Sequence, residues 1–219
     1  MITSTTPVGL CTFCHTPHKA ISTLLLWNHT LSSNTFSWDV SKTTAGTDFP
    51  SFTGQSYKGP TAKCLSCHDG SVAVGDIAWF NEAPHTGADN LSGGQTVDAT
   101  HNITFVAGTG QMKGNHPVAM PYPYNNAVNT YNASTTGAGA VLTEWQADPS
   151  LLASAKIRLF NDDGAGVISA GAVAAKTGIE CSTCHDPHNK AAVDDLFLRG
   201  KLTGSAQTDG YLCLQCHKK

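Results

Sequence analysis

The sequence predicts a chain that is mostly irregular coil, with short helices and a few short strands, wrapped around apolar groups that its own side chains do not supply. Glycine occupies 21 of the 219 positions, and only 40% of the residues are hydrophobic. Charged residues make up 13%, about half the roughly 25% of an average soluble domain. The eight cysteines follow one repeated pattern. A large aliphatic core is therefore not expected.

Charge and hydropathy exclude two classes of protein. The formal net charge of −3 provides no basic face, which excludes recognition of nucleic acid by charge. Apolar runs in the first half reach only four residues, as in Leu24-Leu25-Leu26-Trp27, far short of the about 20 residues that cross a bilayer as a helix. We therefore expect neither a nucleic-acid partner nor a membrane span.

All the cysteines fall in four pairs with two residues between them, and a histidine follows every pair directly. This CxxCH pattern is typical of c-type haem attachment. The two thiols bond to the vinyl groups of one porphyrin, and the adjacent histidine binds the iron as its proximal ligand. We therefore expect four covalently bound haem c groups, with the coil wrapped around them. The expected thioether residues are Cys11, Cys14, Cys64, Cys67, Cys181, Cys184, Cys213 and Cys216, and the expected proximal ligands are His15, His68, His185 and His217.

Three other chemistries use paired cysteines. Four pairs could form two tetrahedral Cys₄ zinc sites, or disulfides in an exported protein. Neither explains why a histidine follows each pair. A thioredoxin-like dithiol would need a surrounding βαβ unit, and nothing in the sequence resembles one.

The motifs also form a loose two-fold repeat. Residues 11–18 and 181–188 share the pattern Cys-x-x-Cys-His-x-Pro-His, and each is followed by a plainer motif with leucine after its first cysteine. The spacing within the two halves is 53 and 32 residues, so the chain is not a solenoid array. We predict a single tetrahaem domain over residues 1–219, comprising a haem pair (1–75), a loop-rich insertion (76–175) and a second haem pair (176–219).

Several short blocks carry a resemblance to a known family: residues 14–18, 26–29, 64–70, 115–118, 184–188, 197–199 and 216–218. With them the chain resembles the multihaem cytochromes with doubled CxxCH motifs, and most of all the extracellular tetrahaem members that polymerise into nanowire filaments. The resemblance implies electron transport through haem iron, self-assembly, and redox partner cytochromes or extracellular electron acceptors as partners. No substrate pocket or acid–base pair is implied, so we expect no enzyme activity.

Two other functions remain open. A monomeric periplasmic electron shuttle would share every motif, and a multihaem reductase would need one iron with an open position. Haem c is attached outside the cytoplasmic membrane, so we expect an exported protein, extracellular or periplasmic. Residues 1–10 lack the basic start and apolar stretch of a signal peptide. We therefore expect a mature or trimmed form, or a misplaced start.

Four irons have eight axial positions, so four distal ligands remain to be found. His18 and His188 each lie three residues after a proximal histidine, with a proline between. So short a segment cannot pass around a porphyrin, so each should bind a neighbouring iron. His116 precedes a proline and His29 follows the Leu-Leu-Leu-Trp run, and these complete the expected bis-histidine set. The second choices are His101 and His85, and Met112 or Met120 could bind as a thioether.

The predicted secondary structure is sparse. A short helix should pass through each CxxCH motif. Another should cover residues 148–155, with Asp148 as N-cap and Pro149 at the first helical position. Residues 157–160 and 167–169 flank an Asn-Asp-Asp-Gly turn and predict a hairpin. The alternation over 101–106 predicts a short strand.

Overall fold

The computed structural model describes residues 10–16, 26–39, 49–71, 79–80, 83–84, 101–104, 106–124, 131 and 144–218. Short elements alternate with long stretches of irregular chain in these ranges. The predicted class, mostly coil with short helices and a few short strands, is confirmed. No helix in the described ranges is long and apolar enough to cross a bilayer.

The chain divides into two compact units. Unit 1 comprises Met1–Asp39, Ser51–Tyr57 and Ala62–Asn115, and unit 2 comprises Val40–Pro50, Lys58–Thr61 and His116–Lys219. The first two CxxCH motifs therefore lie in unit 1 and the last two in unit 2. The single tetrahaem domain with the subdivisions 1–75, 76–175 and 176–219 stays a prediction.

Two small sheets and an aromatic cluster organise unit 1. Strand β1 (Thr35–Phe36) pairs antiparallel with β2 (Phe52–Thr53). The rings of Phe36 and Phe52 lie 5.2 Å apart, and Tyr57 packs 4.6 Å from Phe52. All three are buried. Strands β3 (Trp79–Phe80) and β4 (Ala83–Pro84) form a second antiparallel pair.

Helix α1 (Pro60–His68) carries the second CxxCH motif. It begins at a proline, which is favoured at the first helical position because the N–H that it lacks would have no partner inside the helix. Leu65 is fully buried, while His68 at the helix end is exposed. The helix thus anchors its motif while presenting the histidine outward.

A four-stranded antiparallel sheet lies in unit 2, in the order β5-β8-β6-β7. Its strands are β5 (Met120–Pro121), β6 (Phe160–Asp162), β7 (Ile168–Ala170) and β8 (Thr177–Ile179). The β6–β7 pair confirms the predicted hairpin, displaced by one to three residues. The side chain of Asp162 accepts a hydrogen bond from the Gly164 N–H at 2.9 Å, which stabilises the turn. The other two strands were not predicted.

One close approach fixes the centre of this sheet. A Cβ added to Gly178 in β8 would lie 2.4 Å from carbons of the Tyr131 ring, so only glycine fits there. The Tyr131 ring is fully buried, and its hydroxyl donates to the buried carboxylate of Glu180. Gly178 thereby lets an aromatic ring lie flat against the strand beside the third CxxCH motif.

The remaining CxxCH motifs also lie on short helical turns. The third forms α2 (Cys181–Cys184) and the fourth lies in α3 (Leu212–Cys216). The first begins in a 3-10 turn over Leu10–Phe13. The prediction of a helical turn at each motif is confirmed, with a tighter 3-10 turn at the first.

Two secondary-structure predictions are wrong. The helix predicted over 148–155 starts as expected, because Asp148 caps it by accepting from the Ser150 N–H at 3.0 Å. It is only a 3-10 turn over Pro149–Leu151, since Leu152 turns to an extended conformation. The strand predicted over 101–106 is absent from its described residues. Their hydrogen bonds go elsewhere: Ile103 N–H donates to the His68 carbonyl at 2.9 Å.

Candidate haem-attachment sites

Each motif closes a tight turn between its first cysteine and its histidine. The histidine N–H donates to the carbonyl of the first cysteine at 2.7 Å in the first motif and at 3.0 Å in the third and fourth. In the second motif, α1 provides the same winding. Residues three apart on such a turn lie on one face. Both thiols of a motif can therefore reach one edge of a porphyrin.

In three motifs, a second stretch of chain pairs with the residues around the histidine. We call these stretches the clamp segments: residues 26–28 for the first motif, 197–199 for the third and 144–146 for the fourth. Each forms an antiparallel bridge with its histidine, the pairs being His15 with Trp27, His185 with Leu198, and His217 with Trp145. The last residue of each clamp donates its N–H to the carbonyl of the motif's second cysteine, at 2.7–2.9 Å. These donors are Asn28, Arg199 and Gln146.

The clamp segments satisfy main-chain groups that the helical turns leave open. The last carbonyls of a helix have no partner inside it, and the second cysteine is at that position. The residue after the histidine donates back to the clamp, as in the bond from Thr16 N–H to the Leu26 carbonyl at 2.8 Å. Two main-chain hydrogen bonds therefore hold the histidine from either side and fix where its ring points.

Side chains reinforce the clamps of the first and third motifs. The buried Asn28 side chain donates to the Thr12 carbonyl at 2.7 Å. The Arg199 Nε donates to the carbonyls of Ser182 at 3.1 Å and His185 at 3.2 Å. Its guanidinium also lies 3.5 Å from the carboxylate of Asp186. Both motifs are thus tied to their clamps by a polar side chain as well as by the main chain.

The second motif is held differently. Its following residue, Asp69, is fully buried. The Asp69 carboxylate accepts hydrogen bonds from the Ser32 hydroxyl, from the Asn34 amide at 2.9 Å, and from both the N–H and the hydroxyl of Ser71 at 2.7–2.8 Å. Donors from two segments of unit 1, residues 32–34 and Ser71, therefore converge on the residue next to His68.

Two proximal histidines have the hydrogen bonding that a metal ligand requires. His68 Nδ1 lies 2.8 Å from the His101 carbonyl, and His185 Nδ1 lies 2.7 Å from the Leu196 carbonyl. A carbonyl only accepts, so each Nδ1 carries the proton. Nε2 is then the nitrogen whose lone pair can bind a metal, and the ring is held in orientation.

Groups around the first and third motifs fit a large apolar ring that carries carboxylates. Among the described residues, two buried side-chain polar atoms have no hydrogen-bond partner, Trp27 Nε1 and Ser182 Oγ. Trp27 packs edge-on against His15 at 6.0 Å, and Ser182 lies between the cysteines of the third motif. Buried donors normally have acceptors, and haem propionates are acceptors of the right kind.

Strained apolar residues flank the same two motifs. Leu26 and Phe197 occupy equivalent clamp positions, with φ of 51° and 59°, and their side chains are 46% and 52% exposed. A left-handed conformation costs a residue other than glycine of order 1–3 kcal/mol. Burial of the exposed apolar side chain against a porphyrin would offset this cost. The residues present therefore fit haem c at these motifs.

The second cysteine of three motifs faces inward. Burial raises the pKa of Cys67 and Cys216 to about 12 and that of Cys184 to about 11, and charge on neighbouring cysteines adds to the effect. Thiols with raised pKa values make poor thiolate ligands and poor redox nucleophiles. Thioether bonds to haem remove the proton altogether and suit this environment better.

The structure gives no support to zinc or disulfide chemistry. All eight cysteines lie in the described ranges, and none is disulfide-bonded. No group of three or more His, Cys, Asp or Glu side chains in those ranges is arranged to share one metal ion. The cysteines are thus separated by motif, one pair to each turn.

The expected distal ligands lie in different surroundings. His29 is buried, with Nδ1 3.3 Å from the Thr30 carbonyl, whereas His116 and His188 are exposed. The His116 ring centre lies 6.3 Å from that of the proximal His217. The side chain of His101 is exposed, and its carbonyl holds His68. His18 and His85 lie outside the described residues. Which of these histidines bind iron stays a prediction.

The sequence reasoning missed three residues that hold the motifs. Trp145, whose ring centre lies 4.4 Å from that of His217, was not among the candidate residues. Asp69 and Asp186 were not singled out, yet both are buried and each directly follows a proximal histidine. The repeated Cys-His-Asp was a signal that could have found this pair.

Comparison with known proteins matches part of the chain. Residues 173–219, which contain the third and fourth motifs, match the family model of the doubled CXXCH motif. A search of the curated proteins found no match. The match supports a multihaem c-type cytochrome, which binds haem c covalently and transports electrons through its iron. Such a motif fits an exported protein.

Proposed function

We propose that this chain binds four haem c groups, relays electrons among them, and assembles with copies of itself into an extracellular conductive filament. The observation that carries the relay is the grouping of the motifs: the first two lie in one compact unit and the last two in the other. Two motifs in one compact unit would hold their haems near each other.

The polypeptide has the role of a rigid insulating holder. The cysteines attach the porphyrins, the proximal histidines bind the irons, and His18, His29, His116 and His188 serve as distal ligands. Bound haem supplies the electron-accepting iron. The clamp segments and the buried Asp69 fix each motif so that an electron transfer meets little rearrangement. We propose no catalytic activity, because full bis-histidine ligation leaves no open iron position.

The filament rests on the resemblance and on the low content of charged residues, 13%, which limits repulsion between copies. The other partners in this proposal are redox cytochromes or extracellular electron acceptors. A monomeric periplasmic shuttle is the competing outcome.

Haem content tests the relay. A pyridine haemochrome assay with intact-mass measurement on the matured protein should give four haems per chain, and anaerobic reductive titration should reduce all of them. The Cys64→Ala/Cys67→Ala variant is the matched control and should carry three. Far fewer than four in the unaltered protein, or zinc in place of iron, would overturn the proposal. A high-spin ferric signal would indicate the reductase alternative instead.

Assembly is tested separately. Negative-stain images of the purified protein at high concentration should show filaments. Monomers alone would contradict the filament and leave the relay standing as a shuttle.

A further inference from the structure

We infer that His116 is the distal ligand of the haem attached through Cys213 and Cys216, so that His116 and His217 bind one iron from opposite faces. The inference rests on the proposed function, because it needs a haem at the fourth motif. The two ring centroids lie 6.3 Å apart, with the ring planes at 62°. Imidazoles on opposite sides of one metal ion, with bonds of about 2.0 Å, have centroids roughly 6 Å apart.

The hydrogen bond at Nδ1 of His116 leaves its Nε2 available to bind the metal. Its Nδ1 lies 2.9 Å from the Pro117 carbonyl, so Nδ1 carries the proton and Nε2 carries the lone pair. Proline at the next position restricts His116 to extended conformations, which limits the directions that the ring can take. The side chain is exposed among the residues that the structure describes, which is compatible with a porphyrin packing against it.

His217 is held more firmly than His116. The Trp145 ring packs 4.4 Å from it and is itself braced by Tyr122 at 5.5 Å. The hydroxyl of the buried Tyr122 donates to the Gln146 carbonyl at 2.6 Å, next to the clamp bond from Gln146 N–H to Cys216. The proximal ring is therefore fixed, and His116 completes the pair from the first residue of the last segment of unit 2.

The test is spectroscopic and uses the matured holoprotein. His116→Gly should keep the haem count of the unaltered protein while about a quarter of the ferric haem, one of four, changes from low to high spin. Added imidazole should restore the low-spin spectrum. His116→Met should keep that haem low-spin and raise its reduction potential, since a thioether ligand favours ferrous iron. Val118→Gly, in the same loop, is the control and should leave the spectrum unchanged.

A second background assigns the ligand to its motif. In a Cys213→Ala/Cys216→Ala chain, which lacks the fourth haem, His116→Gly should add no further high-spin signal. If it does, His116 binds another iron and the assignment is overturned. An unchanged low-spin spectrum of His116→Gly together with an unchanged reduction potential of His116→Met, at full haem content, would likewise overturn it. Absence of haem from the unaltered protein would instead refute the proposed function, so the two failures can be told apart.

Discussion

Replacing Asp69 by alanine should destabilise the protein, because its carboxylate is a buried hydrogen-bond acceptor. Asp69 is fully buried and accepts hydrogen bonds from Ser32, Asn34 and Ser71. Hydrogen bonds to a charged group contribute about 1.5–3 kcal/mol each, and loss of the acceptor strands the buried donors. The bonds from Ser32 and Asn34 join distant parts of the chain, so their combined loss should cost about 3–5 kcal/mol.

Guanidinium unfolding of the holoprotein, followed by far-ultraviolet circular dichroism and by the low-spin haem spectrum, measures this loss. Asp69→Asn keeps one acceptor oxygen and should lose less. Asp195→Ala removes an exposed carboxylate and serves as the control, with little change expected. Equal unfolding free energies for Asp69→Ala and Asp195→Ala would refute the reasoning. As a second readout, removing this buried negative charge beside His68 should raise the reduction potential of one haem.

Three further outcomes follow from unit 2. Gly178→Ala should lower the free energy of unfolding by about 1–3 kcal/mol, because the alanine Cβ would lie 2.4 Å from the Tyr131 ring. An unchanged melting temperature would contradict this prediction. Arg199→Met leaves the Asp186 carboxylate buried without its cation and should lower the free energy of unfolding by about 3 kcal/mol. The double variant Arg199→Met/Asp186→Asn should lose less than Arg199→Met alone. Additive losses in the double variant would contradict this coupling. Backbone N–H groups lower the pKa of three carboxylates, those of Asp163, Asp194 and Asp209, below their unfolded value of about 3.9. The stability that they contribute above about pH 4 should therefore be lost as the pH falls through the folded pKa values. Acid titration of the unfolding midpoint measures this loss, and a flat profile would contradict it.

Local chemistry explains which parts of the fold the sequence predicts. The helical turns follow from the spacing within each CxxCH motif, and the β6–β7 hairpin follows from a turn in which Asp162 and Asp163 accept from nearby N–H groups. The helix predicted over 148–155 fails for a non-local reason. Beyond Leu152 the chain pairs with another segment, and Lys156 N–H donates to the Arg199 carbonyl at 3.0 Å. Tertiary pairing here overrides local helix preference.

The candidate site likewise has a part that the local sequence predicts and a part that depends on tertiary contacts. Motif membership alone predicts the attaching cysteines and the proximal histidines, without any knowledge of the fold. The surroundings of each motif depend on contacts between residues far apart, as when Trp145 pairs with His217. Asp69 and its donor Ser32 are also distant in sequence. Spacing alone cannot identify such partners, because nothing local in the sequence marks them.

The clamp segments cannot be recognised by a common residue pattern, but their role can be tested by substitution. They read Leu-Trp-Asn, Phe-Leu-Arg and Glu-Trp-Gln. No residue type is common to all three, whereas the main-chain hydrogen bonds are. Gln146→Pro removes the N–H that donates to Cys216 at 2.8 Å, while Gln146→Ala keeps it.

Gln146→Pro should lower the free energy of unfolding by about 1–3 kcal/mol, because the Cys216 carbonyl loses its donor. It should also free His217 to move, so that the low-spin signal of one haem broadens or is lost. Gln146→Ala should match the unaltered protein in both measurements. Equal behaviour of the two variants would show that side chains, and not the main-chain clamp, hold the histidine.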